Sequence, residues 1–495
     1  MALRPEFTKP AALSGGQAGS SKKFSKRIVT ACIVAIAALA GAWVICRNSG
    51  FSAEARRSNV DVYRLVPDSL ASAPLQAIAT QSGGLEKLDV RALITGEFER
   101  YDPAYLTHKS LRKKRLDVLK RNLVSSEESG KALHCSRRMA AEAEWLLDYT
   151  AEWPKLDQQL AAIEHSLANK DQDFALQQTA DGSWGACFDA WFQKLDATVD
   201  FLGDLPKADG GHPRGPLNPF EILRKIDSSE VLIGYLQRLQ LSQIAKTGVS
   251  QREELNAVEG ALSQLLFKEK LRTLLQAHGA SFIDEAYVEA YRRFLDDTQD
   301  PILGYWGPWI TSGDQIVRTA DLSQTYHIVA YRKGAVNHWP QIIETTFAIK
   351  DLPYPFGWRN NGRYSNHNNY DVIRILRLAW SYMTPAQMDQ ARTEIRKMLN
   401  WSLNGSITPG GEFLDTRGFA DSAGEAYYYG VSFLVEAGYW SKEGAFWENG
   451  PTQHAGAGNL CRKIKSHLVK LQSISITARH GLARLNQACP VADPQ

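Results

Sequence analysis

The densest run of groups able to move protons is Asn360-Asn-Gly-Arg-Tyr-Ser-Asn-His-Asn-Asn-Tyr-Asp371, which brings Arg363, Asn366, His367, Tyr370 and Asp371 close together in the chain. A histidine or tyrosine can take a weakly acidic proton, and a tyrosine can return one to a leaving oxygen. An amide or guanidinium can stabilise the negative charge that develops. The plainer use of such an Asn/Gly-rich turn is to bond its own backbone. A second group, Glu412, Asp415, Asp421 and Glu425, puts carboxylates on one loop and helix start. Acid/base cleavage of a glycosidic bond needs such a pair, and separation in space decides the role. Asp321, Asp371 and Asp421 recur at steps of 50 residues, each near a helix start. Asp321 heads D-x-x-Q with Gln324, and Ser422 heads S-x-x-E with Glu425, both patterns that cap free backbone N–H groups. Helix starts gathered at one mouth would also favour an anionic ligand.

Aromatic residues surround these groups. Trp306, Trp309 and Trp358 lie in or beside the loops Gly304-Tyr-Trp and Gly357-Trp and are candidate platforms for sugar rings. Trp380 and Trp401 fall inside helical runs and read as interface fillers. His327, between Tyr326 and Tyr331, reads as a core histidine. No HExxH spacing and no paired CxxC appears, so neither a metal nor another cofactor is expected.

The elements that must position these groups are helical. Apolar residues Leu116, Leu119 and Leu123 recur at helical spacing within a block from about 110 to 169, and a second block runs from about 219 to 297. The Gly/Pro-rich stretch 204–219 between them is expected to break any helix. Over 301–450, Gly loops recur every 50 residues or so, each followed by an amphipathic run, with further helices expected at 339–350 and 385–403. The unit is an αα-hairpin that cannot bury its apolar face alone, so several must stack or close into a ring.

With these loops and runs, the sequence resembles the α/α-toroid proteins. Asp181-Gly-Ser-Trp-Gly185 is similar to the Gly-Trp loops of the terpenoid-cyclase and prenyltransferase branch, and Asn366-His367-x-x-Tyr370-Asp371 resembles the Asn-His motif of alginate-lyase and heparinase-like uronate lyases. One residue fewer separates His from Tyr here than in that motif. The resemblance implies a helical toroid. Asn366, His367, Tyr370 and Arg363 would be catalytic, and Trp306, Trp309, Trp358, Asp321, Asp371, Glu412, Asp421 and Glu425 would bind substrate.

The chain opens with a flexible, basic tail (1–27) and 19 residues without charge, Ile28 to Cys46, that at about 1.5 Å per residue nearly match a bilayer core. Preceding basic residues favour a cytoplasmic N-terminus. A cleavable signal peptide ending near Ala40-Gly41-Ala42 is the other reading, and either exports the rest. The expected order is then a linker region (47–109), a helical region (110–300), the hairpin repeats (301–450) and a C-terminal helix and tail (451–495). Cys135, Cys187, Cys461 and Cys489 allow three disulfide pairings. A formal charge of +3 over 495 residues gives no reason to expect nucleic acid, and no P-loop or GxGxxG is present. Asp171-Gln-Asp173 lacks the βα pattern of a glycosyltransferase. The expectation is a mostly α, membrane-anchored envelope enzyme that cleaves an acidic polysaccharide by elimination or hydrolysis. The alternatives are a non-catalytic envelope assembly or glycan-binding protein and a terpenoid-type cyclase.

Overall fold

The computed structural model describes residues 63–65, 103–131, 133–150, 152–169, 177–208, 217–312, 315–360, 362–414, 423–441, 445–450 and 454–489. The expected span 28–46, Asp171-Gln-Asp173, Asp415, Asp421 and Ser422 lie outside the described residues. Among the described residues no helix is long and apolar enough to cross a membrane.

The first helical block forms three helices, α1 (Pro103–Glu128), α2 (His134–Tyr149) and α3 (Trp153–Asn169). Leu116, Leu119 and Leu123 of α1 meet Leu146 and Leu147 of α2 and Leu156, Leu160 and Ile163 of α3 in a small core of their own. Ion pairs such as Arg115–Glu164 (2.7 Å) lie on its surface, where each contributes little. Several contacts join this bundle to the rest, among them the Trp145–Phe192 ring pair and the two links that follow. Glu142, buried on α2, accepts the backbone N–H groups of Asp189 and Ala190 (2.9 and 3.0 Å), which precede α4 (Trp191–Ala208), and so caps that helix. A disulfide joins Cys135 to Cys187. Helix α4 continues through Leu205-Pro206 to Ala208, further than the breaker residues led us to expect.

A large continuous core then runs from Trp184 to Leu485. Its helices are α5 (Ser229–Gln240), α6 (Ile244–Thr247), α7 (Arg252–Phe267), α8 (Glu269–Ala277), α9 (Glu285–Thr298), α10 (Leu322–Tyr331), α11 (Trp339–Ala348), α12 (Asn366–Ala379), α13 (Pro385–Gly405), α14 (Ala423–Glu436), α15 (Ala457–Leu471) and α16 (Ile476–Ala488). Helix α4 packs on α7, α7 on α10, α10 on α12, α12 on α14 and α14 on α16. Side-chain pairs fix the directions. Arg252 meets Asp321 and Asn256 meets Ser323, with His327 against Gly260, so α7 and α10 run parallel. Tyr370 meets Tyr429 and Arg374 meets Glu436, so α12 and α14 do too. Gly424 abuts Ser475 and Gly481 abuts Tyr428, which extends the row to α16. Helices α7 and α10 therefore begin at one end together, as do α12, α14 and α16, while α11 and α13 return the chain between them. A second disulfide, Cys461–Cys489, ties α15 to the end of α16.

A small sheet accompanies the helices of this mostly α fold. Its order is β1-β4-β3-β2, from β1 (Tyr63–Leu65), β2 (Leu241–Ser242), β3 (Trp309–Ser312) and β4 (Gln315–Thr319). Strand β4 leads straight to Asp321, whose Oδ1 accepts the Gln324 N–H (2.9 Å) and caps α10 as its D-x-x-Q pattern predicts.

The Gly loops serve packing. At Gly304 (φ +70°) a Cβ would lie 2.5 Å from the Ile342 nitrogen, and at Gly357 2.4 Å from the Ile349 carbonyl oxygen, so neither position admits a side chain. That close approach buries the neighbouring indoles: Trp306, Trp309 and Trp358 are only 1%, 3% and 0% exposed. The sugar-platform expectation for these three rings is corrected accordingly, since a ring inside the core has no free face to offer.

Candidate functional site

Helix α12 starts at a Ser365 cap whose Oγ accepts the Asn368 N–H (3.2 Å). From there His367, Asp371 and Arg374 fall on one face at helical spacing. The turn before the helix supplies a partner that the sequence did not announce. Tyr354 is held there by its own N–H to the Arg359 carbonyl (2.7 Å) and by the Leu322 N–H to the Pro355 carbonyl (2.8 Å), which ties the turn to the start of α10. The Tyr354 hydroxyl lies 3.2 Å from Asp371 Oδ2 and 3.4 Å from His367 Nε2. His367 and Asp371 are themselves 3.9 Å apart. On its other side the imidazole stacks on Tyr429 of α14, with ring centroids 4.0 Å apart and planes 17° from parallel.

The electrostatics set the three groups apart. The His367 side chain is 38% exposed and that of Asp371 only 1%. Burial holds the Asp371 carboxyl well above the usual carboxylate range; the Tyr354 hydroxyl pulls it down in part, and the charge of Asp321 adds to the rise. Asp371 Oδ1 has no hydrogen-bond partner among the described residues. Burial also pushes the Tyr354 and Tyr429 hydroxyls well up, Glu425 adding to the rise at Tyr429. Both tyrosines keep partial exposure.

Beneath the cluster lies a buried polar network. Arg252 forks onto both oxygens of Asp321 (2.7 and 3.1 Å), a bidentate pair that satisfies a carboxylate already engaged as a cap. Asn256 Nδ2 donates to Ser323 (3.3 Å), and its Oδ1 lies 3.2 Å from His327 Nδ1. Burial first, then the His367 and Arg252 charges, hold His327 down at about 3, so it stays neutral. Glu259 is fully buried, accepts from Gln324 Nε2 (2.6 Å), and is pushed by burial up to about 8.

Further along the same helices the lining is tyrosine and arginine. Tyr370 meets Tyr326 (5.6 Å) and Tyr429 (6.2 Å), and its hydroxyl accepts from Arg484 of α16 (3.0 Å). Arg484 also lies over the Tyr370 and Tyr428 rings. Arg374 and Arg377 share the single carboxylate of Glu436 (both 2.9 Å), and among the described residues Arg484 has no carboxylate partner.

The residues expected from sequence divide. His367, Tyr370 and Asp371 share this interior, and Glu425, in the first turn of α14, is close enough to bias Tyr429. Asp321 sits below, committed to Arg252 and its cap. Asn366 turns elsewhere, donating to Ser406 Oγ (2.9 Å) and accepting from Ser402 Oγ (2.8 Å) of the α13 region. Arg363 is exposed on its turn, and Glu412 is exposed on the turn before α14, its N–H donating to Thr408 (3.1 Å). Among the described residues no group of His, Cys, Asp and Glu is arranged to hold a metal ion. Tyr354, Tyr429, Arg374 and Arg484 were not singled out as site residues. The signals available for them were the consecutive Tyr427-Tyr428-Tyr429 and the polar positions left over on amphipathic helices. Comparison with protein-family models, curated proteins and solved structures yields no match.

Proposed function

We propose that the chain is a helical-toroid enzyme of the cell envelope that cleaves an acidic polysaccharide by elimination. The parallel helices α4, α7, α10, α12, α14 and α16 are its inner ring, with intervening helices outside. The observation that carries the reading is the convergence of His367, Tyr354 and Asp371, with Tyr429 stacked on the imidazole, near the start of α12.

The chemistry balances without a cofactor. The imidazole of His367 takes the proton beside a uronate carboxylate, the double bond forms as the C–O bond breaks, and the Tyr354 hydroxyl protonates the leaving oxygen. His367 Nε2, 3.4 Å away, then returns its proton to Tyr354. Asp371, whose carboxyl burial holds well above the usual carboxylate range, holds the Tyr354 hydroxyl in place and resists acquiring a negative charge beside an anionic substrate. Arg484 and Arg374 supply the cation that Arg363 and Asn366 were expected to bring. Arg374 lies about 10 Å along the helix axis from His367, within reach of a neighbouring acidic sugar. A lining this polar is poorly suited to a hydrocarbon substrate, which weighs against a terpenoid-type cyclase.

Export fits the two disulfides, which are favoured in oxidising compartments. The test is ultraviolet absorbance of the new double bond across a panel of uronate polymers. Tyr354→Phe is expected to lose at least about a hundredfold in turnover while its unfolding curve is unchanged. A wild-type chain silent on every polymer, or a Tyr354→Phe protein with full activity, would remove the lyase reading.

A further inference from the structure

The outer face of α15 carries a charge pattern that the site chemistry leaves unused. Between residues 454 and 488 the chain has six Lys and Arg and no Asp or Glu. The other 51 Lys and Arg stand against all 54 Asp and Glu, so the remainder of the chain is net negative. Of the six, Arg484 faces the interior. Arg462 and Lys470 are exposed and Lys463 and Lys465 half-buried on α15, and Arg479 is exposed on α16. None of these five has a carboxylate partner among the described residues.

Helical spacing turns Arg462 and Lys470 away from Cys461, Ile464 and Leu468, which are fully buried, with half-buried Lys465 at the edge of that exposed face. The helix is fixed in place by the Cys461–Cys489 disulfide and by two bonds to the turn before α14. Lys463 Nζ donates to the Pro409 carbonyl (2.6 Å), and His467 Nε2 lies 3.2 Å from the Gly410 carbonyl oxygen. His467 also stacks on Tyr427, two residues before the Tyr429 that covers His367. Helix α15 thus packs against α14, the helix that also carries Tyr429.

We infer that this face, Arg462, Lys465 and Lys470 foremost, is a docking track for a polyanionic glycan outside the cleft, holding the chain whose acidic sugars enter it. The inference rests on the substrate class proposed above. Charge complementarity selects the occupant, since a row of unpaired cations attracts a linear polyanion along its length. An anionic bilayer is the weaker match. A helix that binds a membrane surface buries its apolar side in the lipid, whereas here that side is already in the protein core and only Val469 is exposed beside the cations.

The test uses the full chain and fluorescently labelled polygalacturonate, read by anisotropy at low and high salt. Wild type is expected to bind with strong salt dependence. The triple variant R462E/K465E/K470E is expected to bind at least about tenfold more weakly at low ionic strength, and R462Q/K465Q/K470Q to fall between the two. Turnover of short oligouronates, which reach the cleft without the track, should be the same for all three proteins, so loss of docking is separable from failure of the lyase reading. Equal polymer affinity in wild type and both variants overturns the inference. So does loss of binding to phosphatidylglycerol vesicles in the variants with polymer binding retained, which would assign the face to lipid.

Discussion

Replacing Glu259 by Gln removes the one fully buried carboxyl beneath the site whose ionisation falls in an ordinary pH range. Its folded pKa of about 8 lies above its ordinary value of 4.5, because burial opposes the charged form more than the Gln324 amide supports it. A raised carboxyl makes the folded state bind the extra proton, so stability is fully present below about 4.5 and is lost progressively as pH rises through 8. At about 1.4 kcal/mol per unit, the wild type loses about 4 kcal/mol between pH 5 and pH 9 through this group alone. Glutamine presents the same shape as the protonated acid and has nothing to ionise. Urea unfolding followed by tryptophan fluorescence at pH 5, 7 and 9 should show near-equal stability at pH 5 and a growing advantage for Glu259→Gln, reaching about 4 kcal/mol at pH 9. Every other titrating group cancels in the difference between the two proteins. A difference that stays constant with pH to within about 1 kcal/mol would refute the assignment of a protonated, buried Glu259.

Two further outcomes follow from packing. Gly260→Ala places a Cβ 2.9 Å from His327 Nδ1, so the ring must leave Asn256; a loss of about 1–3 kcal/mol is expected in the same unfolding assay, with Gly234→Ala, whose nearest neighbour lies 3.8 Å away, nearly neutral. Opening the Cys461–Cys489 bridge, which closes a loop of 28 residues, by Cys489→Ser should cost about 3–4 kcal/mol and expose the 454–489 segment to proteolysis before the rest of the domain, while an uncut variant as stable as wild type would contradict that role.

Helices with strong amphipathic periodicity were readable from the sequence, several to within two residues. The expected 339–350 is Trp339–Ala348 and the expected 385–403 is Pro385–Gly405. Local chemistry explains the accuracy: Pro in the first turn and Thr384 with Gln387 as a capping box act within four residues. The site was partly readable because His367, Tyr370 and Asp371 share one helix. Tyr354 was not, because its role depends on a turn folding back over α10 and on a partner 17 residues away. Arg484 comes from 114 residues further along, and no local pattern marks such a pairing. The tryptophans of the Gly loops misled for a related reason. A Gly beside an aromatic serves equally well to expose a ring or to let two backbones close over it, and only the contact at Ile342 and Ile349 decides.

The Asn-His pair and the spaced aspartates show the same limit at two scales. Successive residues of a helix point about 100° apart, so once α12 begins at Asn366 its side chain and that of His367 cannot enter one cleft. One goes to Ser402 and Ser406, the other to Tyr354. Asp321 and Asp371, separated by 50 residues, look like the same position of two repeats. Asp321 stands just before α10, where its carboxylate accepts a backbone N–H and is neutralised by Arg252. Asp371 stands six residues after its own cap, Ser365, and so lies in the second turn, where no free N–H groups remain to stabilise a charge. A shift of helix start by six residues thus changes one aspartate from a cap paired with Arg252 into a buried carboxyl beside Tyr354 and His367, held well above its ordinary range by burial. Packing sets which helices stand side by side; the helix starts decide which of their carboxylates is spent on a cap.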